Sequence, residues 1–128
     1  MPKQSDPKNR DTVESTVIGQ PSPLATLAPT ARPPRLEQIR GPGAPQVFLL
    51  DREETVIGRS DKADVAISSE LISRKHVAFR KVGPQIRFVD LDSSNGVFLN
   101  GAKAHAALLH ESDVIQLGDV VLVFREGG

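Results

Sequence analysis

"DSSNGVFLNG", residues 92–101, carries two Asn-Gly pairs, Asn95-Gly96 and Asn100-Gly101, with Ser93 and Ser94 crowding the first. Asn-Gly between apolar runs is the strongest short-range hairpin signal, because both residues tolerate positive φ. Turns this close leave room for only a very short strand, Val97 to Leu99. The hydroxyls beside the first pair suit a loop that presents groups to a ligand. A plain meander corner is the other reading.

Outward from this stretch the pattern is that of short strands. "QIRFVDL" just before it alternates, with Ile86 and Phe88 on one face and Arg87 and Val89 on the other. "QVFLL", "TVIG", "DVAI", "HVAFRKV", "DVIQL" and "DVVLVF" follow suit, separated by "GPGAP", "RSDKAD", "VGP", "NGAK" and "LGD". Apolar segments of this length and spacing predict an all-β sandwich of roughly 90 residues. "DVVLVF" is apolar on both faces and is expected as a central, well-covered strand. "AKAHAALLHE" comes nearest to a helical period and is too short to count as a helix.

Composition agrees and excludes several classes of function. Of 128 residues 38% are hydrophobic, yet Trp and Tyr are absent and only 5 Phe are present, so the core is built mainly from Val, Ile and Leu. The 16 basic residues are balanced by 16 acidic ones, without the excess expected of a nucleic-acid binder. Missing aromatics also argue against base stacking. No Cys is present, which excludes disulfides and thiolate metal sites. The start, "MPKQSDPKNR", is not a secretory signal, and no apolar run is long enough to span a membrane. A cytoplasmic protein is the expectation.

Residues 1–35 differ from the rest. They are rich in Pro, Ser, Thr and Ala and contain no Phe, so they are expected to form a disordered arm, with "RPPR" as a stiff junction to a folded domain over 36–128.

Three clusters lie beside strand ends: "GRS" at Gly58 to Ser60, "SRKH" at Ser73 to His76, and "SSNG" at Ser93 to Gly96. If they meet at one end of the sandwich, Arg59, Ser73, Arg74, Ser94 and Asn95 form a donor set with permanent positive charge and no carboxylate. That chemistry suits a phosphate monoester dianion: guanidinium forks bind pairs of oxygens, and hydroxyls fill the remaining directions. Asn95, both donor and acceptor, suits the backbone of an extended peptide. Taken alone, Arg59 reads as a solvated arginine and Ser73 as a turn cap; with the other two loops in register the ligand reading prevails. Ser93 reads as a turn former, Lys75 as solvent-facing, and Arg80-Lys81 as a solvated strand face. His76 is expected to hold structure, since no activated nucleophile accompanies it. His105, His110 and Glu111 lack the spacing of a helical zinc site. No metal, cofactor or enzymatic chemistry is expected.

In order and separation, "GRS", "SRKH", "DLDSSNGVFLNG" and "SDVIQLGD" resemble the forkhead-associated (FHA) domain pattern over about residues 36–126. The resemblance implies a β-sandwich of eleven short strands whose loops bind phosphothreonine peptides in serine/threonine-kinase signalling. It implies Arg59, Ser73, Arg74 and Ser94 as phosphate ligands and Asn95 as a ligand of the peptide backbone. Gly58, His76 and Gly96 then shape the loops. The second Asn-Gly is left only to return the chain. Residues Ser68 to Ile72 and the Ser93–Ser94 neighbourhood would read the third residue after the phosphothreonine, with an aliphatic preference.

The arm contains Thr12, Thr16, Thr26 and Thr30. "DTVESTVIG" is similar to the phosphorylated segment of small actinobacterial FHA regulators, in which a kinase modifies the arm and the arm then occupies its own domain. Thr16, then Thr12, would be the modified residue. A flexible linker of about twenty residues spans on the order of 25 Å, enough for closure, at an effective concentration around millimolar. Two rival functions share the same sequence. One is a phospho-independent regulator of a metabolic enzyme; the other is an adaptor fragment of a larger signalling or secretion-system protein.

Overall fold

The computed structural model describes residues 32–127; the expectations for residues 1–31 of the arm, including Thr12 and Thr16, lie outside them, while Arg35, expected at the end of the arm, opens the first strand. Residues 33–127 form one compact unit. Its strands are β1 (Arg35–Arg40), β2 (Gln46–Leu49), β3 (Glu54–Gly58), β4 (Val65–Ala66), β5 (Val77–Val82), β6 (Gln85–Asp90), β7 (Phe98–Leu99), β8 (Ala102–Lys103), β9 (Ala106–Leu108), β10 (Val114–Leu117) and β11 (Val120–Arg125). They make a six-stranded sheet, β2-β1-β11-β10-β7-β8, and a five-stranded one, β4-β3-β5-β6-β9. This is the all-β sandwich the sequence predicts.

Period-two alternation explains the layers. In β6, Ile86 and Phe88 are buried while Arg87 is exposed; in β11, Val120, Leu122 and Phe124 are buried. With Leu36, Ile57, Phe79, Ile115 and Leu117 they fill one core. β11 lies between β1 and β10, the central position its double-sided apolar pattern predicts. "AKAHAALLHE" is not helical and supplies β8 and β9, two short edge strands.

Asn100-Gly101 does more than return the chain. Both residues take positive φ, 50° and 89°, as a two-residue hairpin turn requires. The Asn100 side chain then donates to Asp113 Oδ1 at 3.0 Å and accepts from the Val114 N–H at 2.9 Å. The second Asn-Gly therefore ties the β7–β8 turn to β10, a role the sequence does not reveal.

Arg125 closes the far end of β11. Its Nε donates to Glu37 at 3.2 Å and its terminal nitrogen to Glu111 at 3.0 Å. The Glu126 backbone N–H also donates to Glu111, at 2.7 Å. That N–H, followed by the Arg125 side chain, holds the Glu111 carboxyl below its ordinary value. The contact stabilises the fold above the ordinary carboxylate value and stops doing so as pH falls through the lowered one. Glu111→Gln is therefore expected to lower the melting temperature at neutral pH. The difference should close in acid, which thermal scans across pH would show. A difference independent of pH would contradict the ion pair.

Candidate functional site

Strand pairing brings the three clusters together. β3 runs antiparallel to β5, and β5 to β6, with Ile57 opposite Val77 and Val77 opposite Asp90. The ends of β3 and β6 and the start of β5 therefore lie at one end of the five-stranded sheet. From that end leave "GRS", "SRKH" and "SSNG".

Gly58 lets two of these loops touch. It is buried, and a methyl group there would lie 2.6 Å from the Arg74 carbonyl carbon and 2.8 Å from Lys75 Cα. Bare backbone at Gly58 allows the ladder to continue past β3: the Arg59 N–H donates to Ser73 O at 2.9 Å and the Ser60 N–H to Arg74 O at 3.1 Å.

His76 joins the second loop to the third. It is fully buried, and its Nδ1 accepts from the Ser73 N–H at 3.0 Å. The ring proton therefore sits on Nε2, which donates to Gly96 O at 2.8 Å. The His76 N–H donates to Ile57 O, and its carbonyl accepts from Leu91. Both bonds of the ring are to backbone, so its position is that of a strut. In the third loop, the Ser93 N–H donates to Asp90 and the Ser93 hydroxyl oxygen accepts from the Gly96 N–H, each at 3.0 Å. Ser93 is thus a turn former. Asn95-Gly96 is no two-residue hairpin turn: Gly96 takes φ 80° and Asp92 takes φ 62°, while Asn95 keeps an ordinary backbone.

All five candidate ligands line one open hollow of about 270 Å³, with Glu70, Leu71 and Ile72 completing it. Arg59 Nε donates to Ile72 O at 3.2 Å, which fixes the guanidinium against the loop. Ser73 Oγ accepts from the Ser94 N–H at 3.0 Å and keeps its own proton for a further acceptor. Asn95 Nδ2 donates to Leu71 O at 2.7 Å, leaving one N–H and Oδ1 uncommitted within that amide. Arg74 is exposed at the rim, and Lys75 lies outside the lining. Among the described residues no carboxylate pairs with Arg59 or Arg74.

The sequence predicts a donor set without carboxylates, and here the structure corrects it. Glu70 lines the same hollow. It lies within the Ser68 to Ile72 segment read as a specificity loop, so its presence was open to view although its direction was not. A second hollow of about 330 Å³ adjoins through Asn95 and is lined by Phe98, Gln116 and Gly118. These three carry no motif; they meet because Gln116 stands opposite Phe98 in the β10–β7 pairing. Among the described residues no group of three or more His, Asp or Glu is arranged to hold a metal ion. No helix among them is long and apolar enough to cross a membrane.

The FHA domain family model matches residues 55–118. The chain is 40% identical over 88 residues to the oxoglutarate dehydrogenase inhibitor of Corynebacterium jeikeium, covering 69% of this chain and 61% of that protein. It is 36% identical over 101 residues to the inhibitor of the same name from Corynebacterium diphtheriae, covering 79% of this chain and 71% of that one. The glycogen accumulation regulator GarA of Mycolicibacterium smegmatis is 38% identical over 88 residues, 69% of this chain and 56% of its own. The matches thus span between 56% and 71% of these relatives' lengths. Among solved structures, Mycobacterium tuberculosis EmbR in complex with a low-affinity phosphopeptide superposes with a TM-score of 0.70 at 26% identity, covering 76% of this chain and 25% of EmbR. The MEK1 FHA domain bound to a phosphothreonine peptide of HOP1 gives 0.64 at 28% identity, covering 74% of this chain and 97% of that domain.

Proposed function

The chain belongs to the FHA domain family, alongside small actinobacterial FHA regulators, and on that premise we propose that its loop end binds phosphothreonine in an extended peptide. The observation that supports this reading is the convergence of Arg59, Ser73, Arg74, Ser94 and Asn95, from three separate loops, on one hollow. In this reading Arg59 and Arg74 supply charge-assisted hydrogen bonds to phosphate oxygens, Ser73 and Ser94 fill the directions between them, and Asn95 holds the peptide backbone. The protein binds and does not catalyse, and it serves serine/threonine-kinase signalling in the cytoplasm. A titration comparing a phosphothreonine peptide with its unphosphorylated form tests this. Binding should require the phosphate, and equal affinity for both forms would refute it.

A regulatory role is favoured by the relatives, two of which are named as inhibitors of oxoglutarate dehydrogenase. In this second reading the unphosphorylated chain clamps a metabolic enzyme through the same loops. A kinase then modifies Thr16, or else Thr12, and the arm fills the pocket and releases the enzyme. A pull-down of the enzyme by this chain should survive phosphatase treatment and disappear after kinase treatment. Thr16→Ala should preserve the interaction after kinase treatment; loss of the interaction in that variant would move the switch to another residue.

A further inference from the structure

The β10–β11 turn, Gly118-Asp119, supplies none of the five proposed ligands, yet it is tied to one of them. The Ser69 hydroxyl is buried and donates to Asp119 Oδ1. The Ser69 hydroxyl oxygen in turn accepts from the Leu71 N–H at 3.1 Å. The Leu71 carbonyl in turn accepts from Asn95 Nδ2 at 2.7 Å. Gly118 lies directly against Leu71: a methyl group at Gly118 would be 2.7 Å from Leu71 Cβ and 2.8 Å from its carbonyl oxygen. The turn itself is fixed by the Gln116 amide, which donates to Gly118 O at 3.2 Å. The carbonyl that aims Asn95 is therefore held by a turn roughly fifty residues further along the chain.

From this chain of contacts we infer that Asp119, acting through Ser69 and Leu71, is the positioning residue for Asn95. The inference rests on the reading of the pocket as a phosphopeptide site. Asn95 has a useful role only if its remaining N–H and Oδ1 face the peptide, and one anchored N–H sets that orientation. Without the latch, Leu71 and Asn95 must be ordered when the peptide binds, and that ordering lowers affinity. The loss of one hydrogen bond's worth of preorganisation corresponds to roughly a five- to tenfold weaker complex. Asp119 is itself exposed, so its truncation leaves the core untouched.

The test uses the full 128-residue chain and two readouts. The first needs no ligand: the Asn95 side-chain amide signal in NMR spectra should shift and exchange faster in Asp119→Ala. It should return in Asp119→Asn, whose amide oxygen still accepts from Ser69. The second is a titration with a pooled phosphothreonine peptide library. Asp119→Ala should bind about five- to tenfold more weakly than the parent. In an Asn95→Ala background the same change should cost nothing further. An unmoved Asn95 amide, or an equal loss in the Asn95→Ala background, overturns the inference. Failure of the parent chain to bind the pool overturns the phosphopeptide reading instead, and the ligand-free amide signal then decides the role of Asp119.

Discussion

Arg59→Ala is expected to remove most phosphothreonine-peptide binding and to leave the fold standing. Arg59 is exposed, and its one hydrogen bond through the side chain among the described residues is that of Nε to Ile72 O. Truncation takes away little packing, so the melting temperature should change only slightly. In the proposed complex the variant lacks a permanent charge facing a dianion, and the phosphate loses its charge-assisted hydrogen bonds to the guanidinium. Such a loss costs roughly 2–4 kcal/mol, or about thirty- to a thousandfold in affinity. Arg59→Lys is expected to recover only part, because an ammonium keeps the charge and lacks the fork. Glu70, which lines the same hollow, offsets some of the positive field, so Glu70→Gln is expected to tighten the phosphopeptide complex modestly. Isothermal titration of the three variants, with thermal melts as the control for folding, checks the set. Undiminished binding by Arg59→Ala would remove the arginine from the site.

Gly58→Ala is the second large effect, and it works by a different route. The added methyl would meet the Arg74 carbonyl and Lys75 Cα, both backbone, so no side chain can swing away to relieve it. The two loops must separate, and the bonds from Arg59 N–H to Ser73 O and from Ser60 N–H to Arg74 O are lost or stretched. Overpacking of this kind typically costs 1–3 kcal/mol, and the broken ladder adds to it, so a loss of about 2–4 kcal/mol of stability is expected. Denaturant titration should show the lower midpoint, and phosphopeptide affinity should fall in the fraction that remains folded. Gly96→Ala is a useful contrast. There the nearest obstruction is the Lys103 Cε at 2.6 Å, the movable end of a flexible side chain, and the strain comes from a φ of 80° instead. A Gly58→Ala protein as stable as the parent would mean that the loops do not depend on this close approach.

The strands that were legible in the sequence are those whose period-two pattern is apolar on the inner face, such as "QIRFVDL" and "DVVLVF". β1, "RLEQIR", escapes that reading because one of its inner positions is a glutamine. Gln38 is fully buried, and its amide donates to Arg40 O at 3.0 Å and Pro42 O at 2.9 Å while accepting from Gln46 at 2.7 Å. A buried amide so satisfied behaves as core, yet by residue type it reads as polar surface. β8 and β9 escape for another reason: two and three residues, mostly alanine, are held at sheet edges by their partners and not by their own propensity. The loops were legible because glycine, hydroxyl and guanidinium residues sit next to strand ends at Gly58, Ser73 and Asn95. Glu70, Phe98, Gln116 and Gly118 were not legible as neighbours of that set, since a single chain does not state which loop faces which strand. The latch from Asp119 to Asn95 joins three parts of the chain, and only the paired sheets reveal it.

Recognition of phosphothreonine by this loop end can be read residue by residue in amide NMR spectra of the ¹⁵N-labelled full chain. A phosphothreonine peptide is added first, followed by its dephosphorylated form in a second sample. Saturable shifts are expected for amides near Arg59, Ser73 and Asn95 with the phosphorylated peptide and none with the other. Shifts of equal size for both peptides, or shifts confined to another face, would contradict it.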